Sequence, residues 1–260
     1  MMAAGADLPA PRAILWDVDG TLAETERDGH RVAFNLAFEA CDLPWRWDEA
    51  HYGRLLEITG GRERLLHDMA TRADAPAGTE ERQALARAVH ARKNSFYAGF
   101  ASGGGIPLRA GVRELMQQCR DRGRPMGITT TTSRANVAAL LAGPLGARWE
   151  EWFAVIVCGE DVGRKKPDPE VYQRALGVLQ IEGPGAVAIE DSPGGVAAAQ
   201  AAGVPVIVTR SRYFADAPIE GAVAVGPGLH TRGGWQPSLP ASGDPDATVG
   251  LDDIDAWCSP

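Results

Sequence analysis

The sequence predicts an α/β fold in which a parallel sheet is flanked by helices and interrupted by an inserted helical segment. Short apolar runs recur along the chain. Each is continuous rather than alternating with polar residues, which is typical of strands covered on both faces. Segments with helical periodicity separate these runs. This alternation predicts a doubly wound, Rossmann-like sheet, in which ligands bind at the carboxyl ends of the strands.

The predicted core elements alternate regularly. The strands are Ala13 to Trp16, Pro125 to Thr129, Ala154 to Val157, Val187 to Ile189 and Val204 to Val208. The helices are Gly111 to Arg122, Arg134 to Ala142, Pro169 to Leu179 and Gly194 to Ala202. The core domain is therefore expected at residues 1–24 and 105–260, with a disordered lead-in at 1–11 and an irregular loop at 226–246. After Val249 the chain is expected to resume order as a strand or a helix.

Residues 25–104 are predicted to form a helical cap domain. Apolar side chains such as Phe34 and Phe38 recur at helical spacing, and no strand pattern interrupts them. A further helix is expected to start at an N-cap formed by Thr79. The segment begins just after the first strand and ends at the run Gly103-Gly104-Gly105, which is suited to a hinge.

Composition narrows the classes of function. The chain has 260 residues, 45% of them apolar, and a formal net charge of −8. We therefore expect no nonspecific attraction to nucleic acid or to an anionic membrane. No apolar run approaches the roughly 20 residues that span a bilayer, and no signal peptide is apparent. The four cysteines form no Cys-x-x-Cys pair, which favours free thiols in a reducing, cytoplasmic location.

The first predicted strand ends in two carboxylates. The run is Ala13-Ile14-Leu15-Trp16-Asp17-Val18-Asp19-Gly20-Thr21. Side chains two positions apart on an extended chain point the same way, so Asp17 and Asp19 are expected to converge on one site. Gly20 lets the backbone turn sharply and approach whatever occupies that site. An Asp-Gly turn can also simply terminate a strand, so this run alone leaves the function open.

Three later segments place polar groups where a predicted strand ends or a predicted helix begins. They are Gly127-Ile128-Thr129-Thr130-Thr131-Thr132-Ser133, Gly163-Arg164-Lys165-Lys166-Pro167-Asp168-Pro169 and Ala188-Ile189-Glu190-Asp191-Ser192-Pro193. In order and chemistry, these segments and the first run resemble the four motifs of the haloacid dehalogenase-like hydrolases. The resemblance extends from about Ala13 to Val225 and implies hydrolysis of a phosphate ester through an aspartyl-phosphate.

The resemblance implies distinct roles for the two carboxylates of the first run. Asp17 would be the nucleophile and a metal ligand, since a carboxylate can attack phosphorus and split one hydrolysis into two easier displacements. Asp19 would protonate the leaving oxygen and then deprotonate the attacking water. In the resembled family, the backbone carbonyl of Asp19 also contributes to the metal site.

Glu190 and Asp191 follow a second buried strand and precede a helix, where the helix dipole favours anions. Helix capping would explain one such acidic residue. A pair is better explained by a cation that offsets the repulsion among Asp17, Asp19, Glu190 and Asp191. Oxygen ligands with no His or Cys nearby favour Mg²⁺. The resemblance implies that Asp191 is a direct ligand and that Glu190 binds directly or through water.

Thr130 ends a predicted strand ahead of a helix, whose free amides could hold a phosphoryl group together with its hydroxyl. Thr129, Thr131 and Thr132 compete for this role on sequence grounds. The resemblance favours Thr130 as the catalytic threonine, and we expect Thr131 and Thr132 to contact substrate.

Lys166 precedes Pro167, which favours an extended backbone at the lysine. An ammonium group there could neutralise the phosphoryl group during transfer. The resemblance implies that Lys166, which abuts the proline, is the catalytic lysine and that Lys165 is not.

The predicted cap resembles the CbbY-type branch of this family. The segments that carry this likeness are Asp17 to Glu26, His30-Arg31-Val32-Ala33-Phe34-Asn35 and Thr59-Gly60-Gly61-Arg62-Glu63-Arg64. The resemblance implies substrate contacts from Glu24, His30, Thr59, Gly60, Gly61, Arg62 and Arg64. A guanidinium on the glycine-flanked loop suits a second phosphate, for which Arg62 is the first candidate and Arg64 the second. The spacing from Glu26 to His30 is one residue longer than in some relatives.

Members of this branch act as xylulose-1,5-bisphosphate phosphatases. We therefore expect magnesium-dependent hydrolysis of a small phosphorylated sugar, with xylulose 1,5-bisphosphate as first choice. A phosphoglycolate phosphatase and a β-phosphoglucomutase-like phosphotransferase are the alternatives, and Thr21 favours hydrolysis because the mutases often carry Val there. A non-catalytic binding protein on this fold is disfavoured by the intact motifs. The oligomeric state stays open, although a monomer is compatible with the sequence.

Overall fold

The core of the molecule is one parallel sheet. The computed structural model describes residues 11–239, 244 and 246–259. Six strands are ordered β3-β2-β1-β4-β5-β6, and every neighbouring pair is parallel. The strands are β1 Ala13–Trp16, β2 Met126–Thr129, β3 Val155–Val157, β4 Ala186–Glu190, β5 Val206–Thr209 and β6 Ala224–Gly226. The Rossmann-like α/β fold predicted from the sequence is confirmed.

Nine α-helices lie within the described residues. The first four follow β1 and form what we call the cap: α1 Arg31–Glu39, α2 Glu49–Leu55, α3 Gly61–Thr71 and α4 Thr79–Ser102. The others are α5 Val112–Asp121, α6 Arg134–Leu145, α7 Glu170–Leu179, α8 Pro193–Ala201 and α9 Leu251–Cys258. None of the helices in this part of the chain combines the length and apolar character needed to cross a membrane.

The strands are buried on both faces, as their continuous apolar character predicts. In β1, Ile14 and Trp16 pack into a cluster with residues of α5, α6 and α9. The alternate residues, Ala13 and Leu15, pack into a second cluster with residues of α7 and α8. Because β1 is the third of six strands, its carboxyl end lies in the middle of the sheet edge.

Three sequence expectations require correction. The sixth strand was missed because three residues are too few to show periodicity. Part of the stretch expected to be irregular is packed: Gln236 pairs with Val225, and Trp235 is buried with its ring centroid 4.4 Å from that of Trp257. The N-cap of α4 is Gly78 rather than Thr79. The lead-in up to residue 10, and residues 240–243 and 245 of the expected loop, lie outside the described residues.

The cap has a hydrophobic cluster of its own, centred on aromatic side chains. The rings of Phe34 and Phe38 lie 4.7 and 5.0 Å from that of Trp47. The indole of Trp47 donates a hydrogen bond of 2.9 Å to the buried Asp68. The chain leaves α4 through the predicted glycine run, where Gly104 has a φ of +75° that favours glycine.

Candidate active site

The end of β1 delivers Asp17 to the middle of the sheet edge. The backbone amide of Asp17 donates to the carbonyl of Ile189, which keeps β1 paired with β4 up to the carboxylate. The chain then turns at Gly20, which has a φ of +85°. A Cβ atom at this position would overlap the carboxylate of Asp191, so the turn requires glycine for two reasons. The strand order reverses between β1 and β4, where open α/β sheets bind their ligands.

Lys166 joins two of the carboxylates at this edge. Its Nζ atom donates to Asp17 Oδ1 at 2.7 Å, to Glu190 Oε1 at 2.6 Å and to the carbonyl of Thr129 at 2.8 Å. The hydroxyl of Tyr172 donates to the same oxygen of Glu190 at 2.5 Å. Although burial opposes it, the two carboxylates raise the pKa of Lys166 well above its usual value. The lysine is therefore a buried, fully charged group.

Asp17, Glu190 and Asp191 form a buried acidic cluster, with one oxygen of each within 4.8 Å of the others. Burial raises the pKa of Asp17 to about 7; Lys166 lowers it and the Glu190 carboxylate raises it. Burial, Asp17 and Glu190 also raise the pKa of Asp191. Glu190 Oε2 is buried and has no hydrogen-bond partner among the residues that the structure describes. An all-oxygen cluster with a surplus of negative charge fits a hard divalent cation such as Mg²⁺.

The carboxylate of Asp19 lies outside this cluster, although its charge also helps to raise the pKa of Asp17. Asp19 Oδ1 accepts a hydrogen bond of 2.6 Å from the hydroxyl of Thr25 and lies 3.0 Å from His30 Nε2. Burial opposes ionisation, but His30 and Thr25 outweigh it and hold the pKa of Asp19 below its usual range. Asp17 and Asp19 nevertheless line the same cavity, as their spacing predicts.

A π-helical turn at Glu26–His30 explains how His30 reaches Asp19. Such a turn holds one more residue than an α-helical turn, and π-helical turns often occur at functional sites. The His30 ring lies 4.1 Å from that of Tyr97, which fixes its orientation.

The threonine run begins at the last residue of β2 and leads into α6. Thr130 is buried, and its hydroxyl accepts a hydrogen bond of 3.2 Å from the amide of Thr132. Ser133 caps the helix by accepting from the amide of Asn136 at 3.3 Å. Thr131 lines the cavity that contains Asp17, and Thr132 lines a second one.

Two adjoining cavities lie between the cap and the sheet edge, and Thr131 lines both. The main cavity has a volume of about 340 Å³, and the second has about 230 Å³. Residues of the main cavity include Asp17, Asp19, Glu26, Thr59, Arg64, Lys166, Asp191 and Phe214. Residues of the second include Gly61, Arg62, Glu63, His90, Thr132, Ser133 and Lys165.

The cap residues expected to bind substrate are thus divided. Thr59 and Arg64 face the main cavity, whereas Gly61 and Arg62 face the second. Gly60 has a φ of +103° at the N-cap of α3, which makes it part of the turn that presents this loop.

Glu24 lines neither cavity and instead accepts a hydrogen bond of 3.2 Å from the amide of Arg212. Glu26, two residues later, faces the main cavity. Glu26 accepts from Tyr52 at 2.5 Å and from Arg64 at 3.1 Å. The sequence contained both glutamates but gave no indication of which one turns inward.

Lys93 was also missed. It lies on α4, fully inside the cap, with its ammonium group 5.4 and 5.1 Å from the ring centroids of Phe34 and Tyr97. Burial lowers its pKa to about 8, while Asp19 opposes the shift. No sequence signal distinguishes this lysine from those on a solvated helix face.

The motif order, the sheet edge and the acidic cluster define a class of enzyme. A family model of the haloacid dehalogenase-like hydrolases matches residues 11–203, and the chain belongs to this family. It is a hydrolase of the phosphatase type.

Individual proteins of this family are similar to the chain over most of its length. Protein CbbY of Cupriavidus necator is 43% identical over 220 residues, which cover 84% of this chain and 85% of that protein. A crystal structure of a CbbY mutant from Rhodobacter sphaeroides, in complex with xylulose 1,5-bisphosphate, superposes with a TM-score of 0.80 at 34% identity. The superposition covers 94% of this chain and 99% of the CbbY chain in that structure. A phosphoglycolate phosphatase of Pectobacterium atrosepticum is 33% identical, over 76% of this chain and 80% of that protein.

Proposed function

We propose that this protein is a magnesium-dependent phosphatase that hydrolyses xylulose 1,5-bisphosphate to xylulose 5-phosphate through an aspartyl-phosphate on Asp17. The observation that carries the proposal is the contact of Lys166 with both Asp17 and Glu190 beside Asp191, at the end of two neighbouring strands. Asp17, Lys166 and Asp191 line one cavity, which places the proposed nucleophile beside a positive charge and a second carboxylate. The likeness to CbbY proteins supports the choice of substrate.

Asp17 is the proposed nucleophile because one of its oxygens is fixed by Lys166 and the other is left for attack. A bond forms between that oxygen and phosphorus, and the bond from phosphorus to the sugar oxygen breaks. Lys166 and the start of α6 after Thr130 offset the charge of the transferring phosphoryl group. When bound by Asp17, Asp191 and the carbonyl of Asp19, Mg²⁺ would supply further neutralisation of that charge.

Asp19 is the proposed general acid and base. It delivers a proton to the departing sugar oxygen and later takes one from the water that attacks the aspartyl-phosphate, which releases inorganic phosphate and restores the Asp17 carboxylate. Thr25 and His30 fix the position of the Asp19 carboxylate. His30 also places a second titratable group within hydrogen-bond distance of the proposed proton donor.

The second cavity supports a substrate with two phosphates. It adjoins the reaction cavity at Thr131, and Arg62 and Lys165 bring positive charge to it from the cap and from the core. Arg62 is the proposed ligand of the remote phosphate, because a guanidinium binds phosphate through paired donors. Arg64 faces the reaction cavity and is already bound to Glu26, which makes it the weaker candidate.

A comparison of substrates tests the proposal. The purified protein is assayed for released phosphate with xylulose 1,5-bisphosphate, 2-phosphoglycolate and β-glucose 1-phosphate, each with Mg²⁺ and with excess chelator. Asp17→Asn, purified in parallel, controls for contaminating phosphatases. We expect the highest kcat/KM with the bisphosphate and no turnover in chelator.

Higher kcat/KM with 2-phosphoglycolate would replace the substrate by that of the phosphoglycolate phosphatases, which are also relatives. Phosphoryl transfer to a sugar hydroxyl without release of phosphate would indicate a phosphotransferase. Full activity in chelator would exclude the role of magnesium.

A further inference from the structure

Arg109 lies on the second connection between the cap and the core, in the segment that links α4 to α5. Its guanidinium turns toward the sheet edge and is only 13% exposed. Its backbone amide also donates to the carbonyl of Leu22, at 2.8 Å, in the turn after Asp19. Arg109 therefore contacts the turn that follows Asp17 and Asp19 through its backbone, at Leu22, and through its side chain, at Gly20.

The guanidinium binds carbonyl groups from three separate segments of the chain. Nη1 donates to the carbonyl of Gly20 and to that of Thr209 at 3.1 Å. Nη2 donates to the carbonyls of Arg210 at 2.7 Å and Pro227 at 3.2 Å. These carbonyls lie at or just after the carboxyl ends of β1, β5 and β6. Five N–H groups in a fixed planar fork allow one side chain to satisfy them together.

Two of the segments that Arg109 holds lie beside Asp191. Gly20 is so close to the Asp191 carboxylate that a Cβ atom there would overlap it, and the same position would lie 3.2 Å from Ser211 Cβ. Ser211 follows Arg210, whose carbonyl Arg109 binds. Gly20 follows Asp19, whose backbone carbonyl is one of the proposed ligands of the metal. Arg109 itself contacts none of the three clustered carboxylates through a hydrogen bond that the described residues show.

We propose that Arg109 is a positioning residue that fixes the two loops beside Asp191 and thereby sets the affinity of the acidic cluster for its divalent cation. The inference rests on the proposed function in one respect, namely that the cluster binds Mg²⁺. Groups that orient metal ligands without binding the metal typically change metal affinity by about 10- to 100-fold when they are removed. Arg109 is expected to act in this range.

The test compares Arg109→Met and Arg109→Lys with the wild type. Arg113→Met, on the exposed surface of α5, is the matched control because it removes the same charge without any hydrogen bond shown for the described residues. The dissociation constant of Mg²⁺ is measured by calorimetry on the full chain, at a temperature well below each variant's own unfolding midpoint. The kcat and KM values for an aryl phosphate at saturating Mg²⁺ are measured alongside.

We expect Arg109→Met to raise the Mg²⁺ dissociation constant by about tenfold or more, Arg109→Lys to raise it less, and Arg113→Met to leave it unchanged. At saturating Mg²⁺, kcat should fall more than KM rises. Folded variants that unfold more readily but bind Mg²⁺ as tightly as the wild type would overturn the proposal, since Arg109 would then be structural only. Should Arg109→Met not fold, wild-type affinity in Arg109→Lys would overturn it equally. A wild type that binds no Mg²⁺ would instead refute the metal dependence in the proposed function.

Discussion

The core and cap sides of the active site are built in different ways. On the core side, Asp17, Glu190 and Asp191 follow two adjacent strands of the sheet, and the buried Lys166 holds two of them. On the cap side, Glu26 and Arg64 come from a π-helical turn and from helix α3 and meet in the main cavity. The position of a strand end is fixed by the pairing of its strand in the sheet, whereas a helical insertion can place its side chains around a cavity in several ways. The difference suggests that the core side fixes the reaction and the cap side selects the substrate.

The largest expected effect lies on the core side. Asp17→Asn should lower kcat by about 10⁴-fold or more, since it removes the nucleophile at almost unchanged size. Asp19→Asn should lower kcat by about 10² to 10⁴-fold, the usual contribution of general acid–base catalysis. Steady-state kinetics at saturating Mg²⁺, with circular dichroism as a control of folding, would measure both. Near-normal turnover by Asp17→Asn would exclude the covalent mechanism.

Lys165 and Lys166 allow a buried ion pair to be compared with an exposed one by their contributions to the free energy of unfolding. Lys166 is 6% exposed and neutralises two buried carboxylates, so Lys166→Met should lower the free energy of unfolding by about 3 to 5 kcal/mol. Lys165 is 30% exposed and pairs with Glu63 of the cap at 3.1 Å, so Lys165→Met should cost at most about 1 kcal/mol. Urea unfolding at neutral pH without added metal would compare them. Equal losses would mean that the buried contacts of Lys166 contribute no more to stability than the exposed ion pair of Lys165.

The sequence predicts more of the core side than of the cap side, for the same physical reason. Motifs at strand ends point to Asp17, Glu190 and Asp191, because parallel strands bring their carboxyl ends to one edge. Lys166 was singled out by the family resemblance, since it directly precedes Pro167. The side chains of the cap cannot be placed in this way. Glu24 and Glu26 have the same side chain, and their tertiary contacts decide which of them lines the cavity: Glu24 binds the amide of Arg212, and Glu26 binds Arg64.

The remaining misses have a related cause. The burial of Lys93 depends on how α4 packs against the other cap helices. The sixth strand and the packing of Trp235 are set by tertiary contacts of short segments, in which local periodicity is too weak to be read.

A smaller effect, confined to the substrate, is expected on the cap side. Arg62→Ala should raise KM for xylulose 1,5-bisphosphate by about tenfold, the loss of one charge-assisted hydrogen-bonding group, and leave KM for an aryl phosphate nearly unchanged. Arg64→Ala is the comparison, because its guanidinium faces the reaction cavity and is held by Glu26. It should therefore affect both substrates. Equal effects of Arg62→Ala on the bisphosphate and the monophosphate would exclude a remote-phosphate role.

The smallest effect concerns the ion pair that bridges the two sides. Glu63→Gln removes the partner of Lys165 while keeping its size, and the pair is partly exposed. The free energy of unfolding should fall by less than about 1 kcal/mol, and the difference from the wild type should shrink further as salt rises. Unfolding curves at low and high ionic strength would show this. A large, salt-independent loss would mean that the cap and core are joined more firmly at Glu63 than its exposure indicates.

The most direct test of the covalent mechanism is chemical trapping of the phosphorylated enzyme. The wild type is mixed with xylulose 1,5-bisphosphate and Mg²⁺, quenched with acid within the first turnover and treated with borohydride, which reduces an aspartyl-phosphate to homoserine. Peptide mass spectrometry then locates the modified residue. The mechanism predicts homoserine at Asp17, absent from Asp17→Asn and from samples quenched without substrate. Turnover without homoserine at Asp17, or with the modification at another carboxylate, would contradict it.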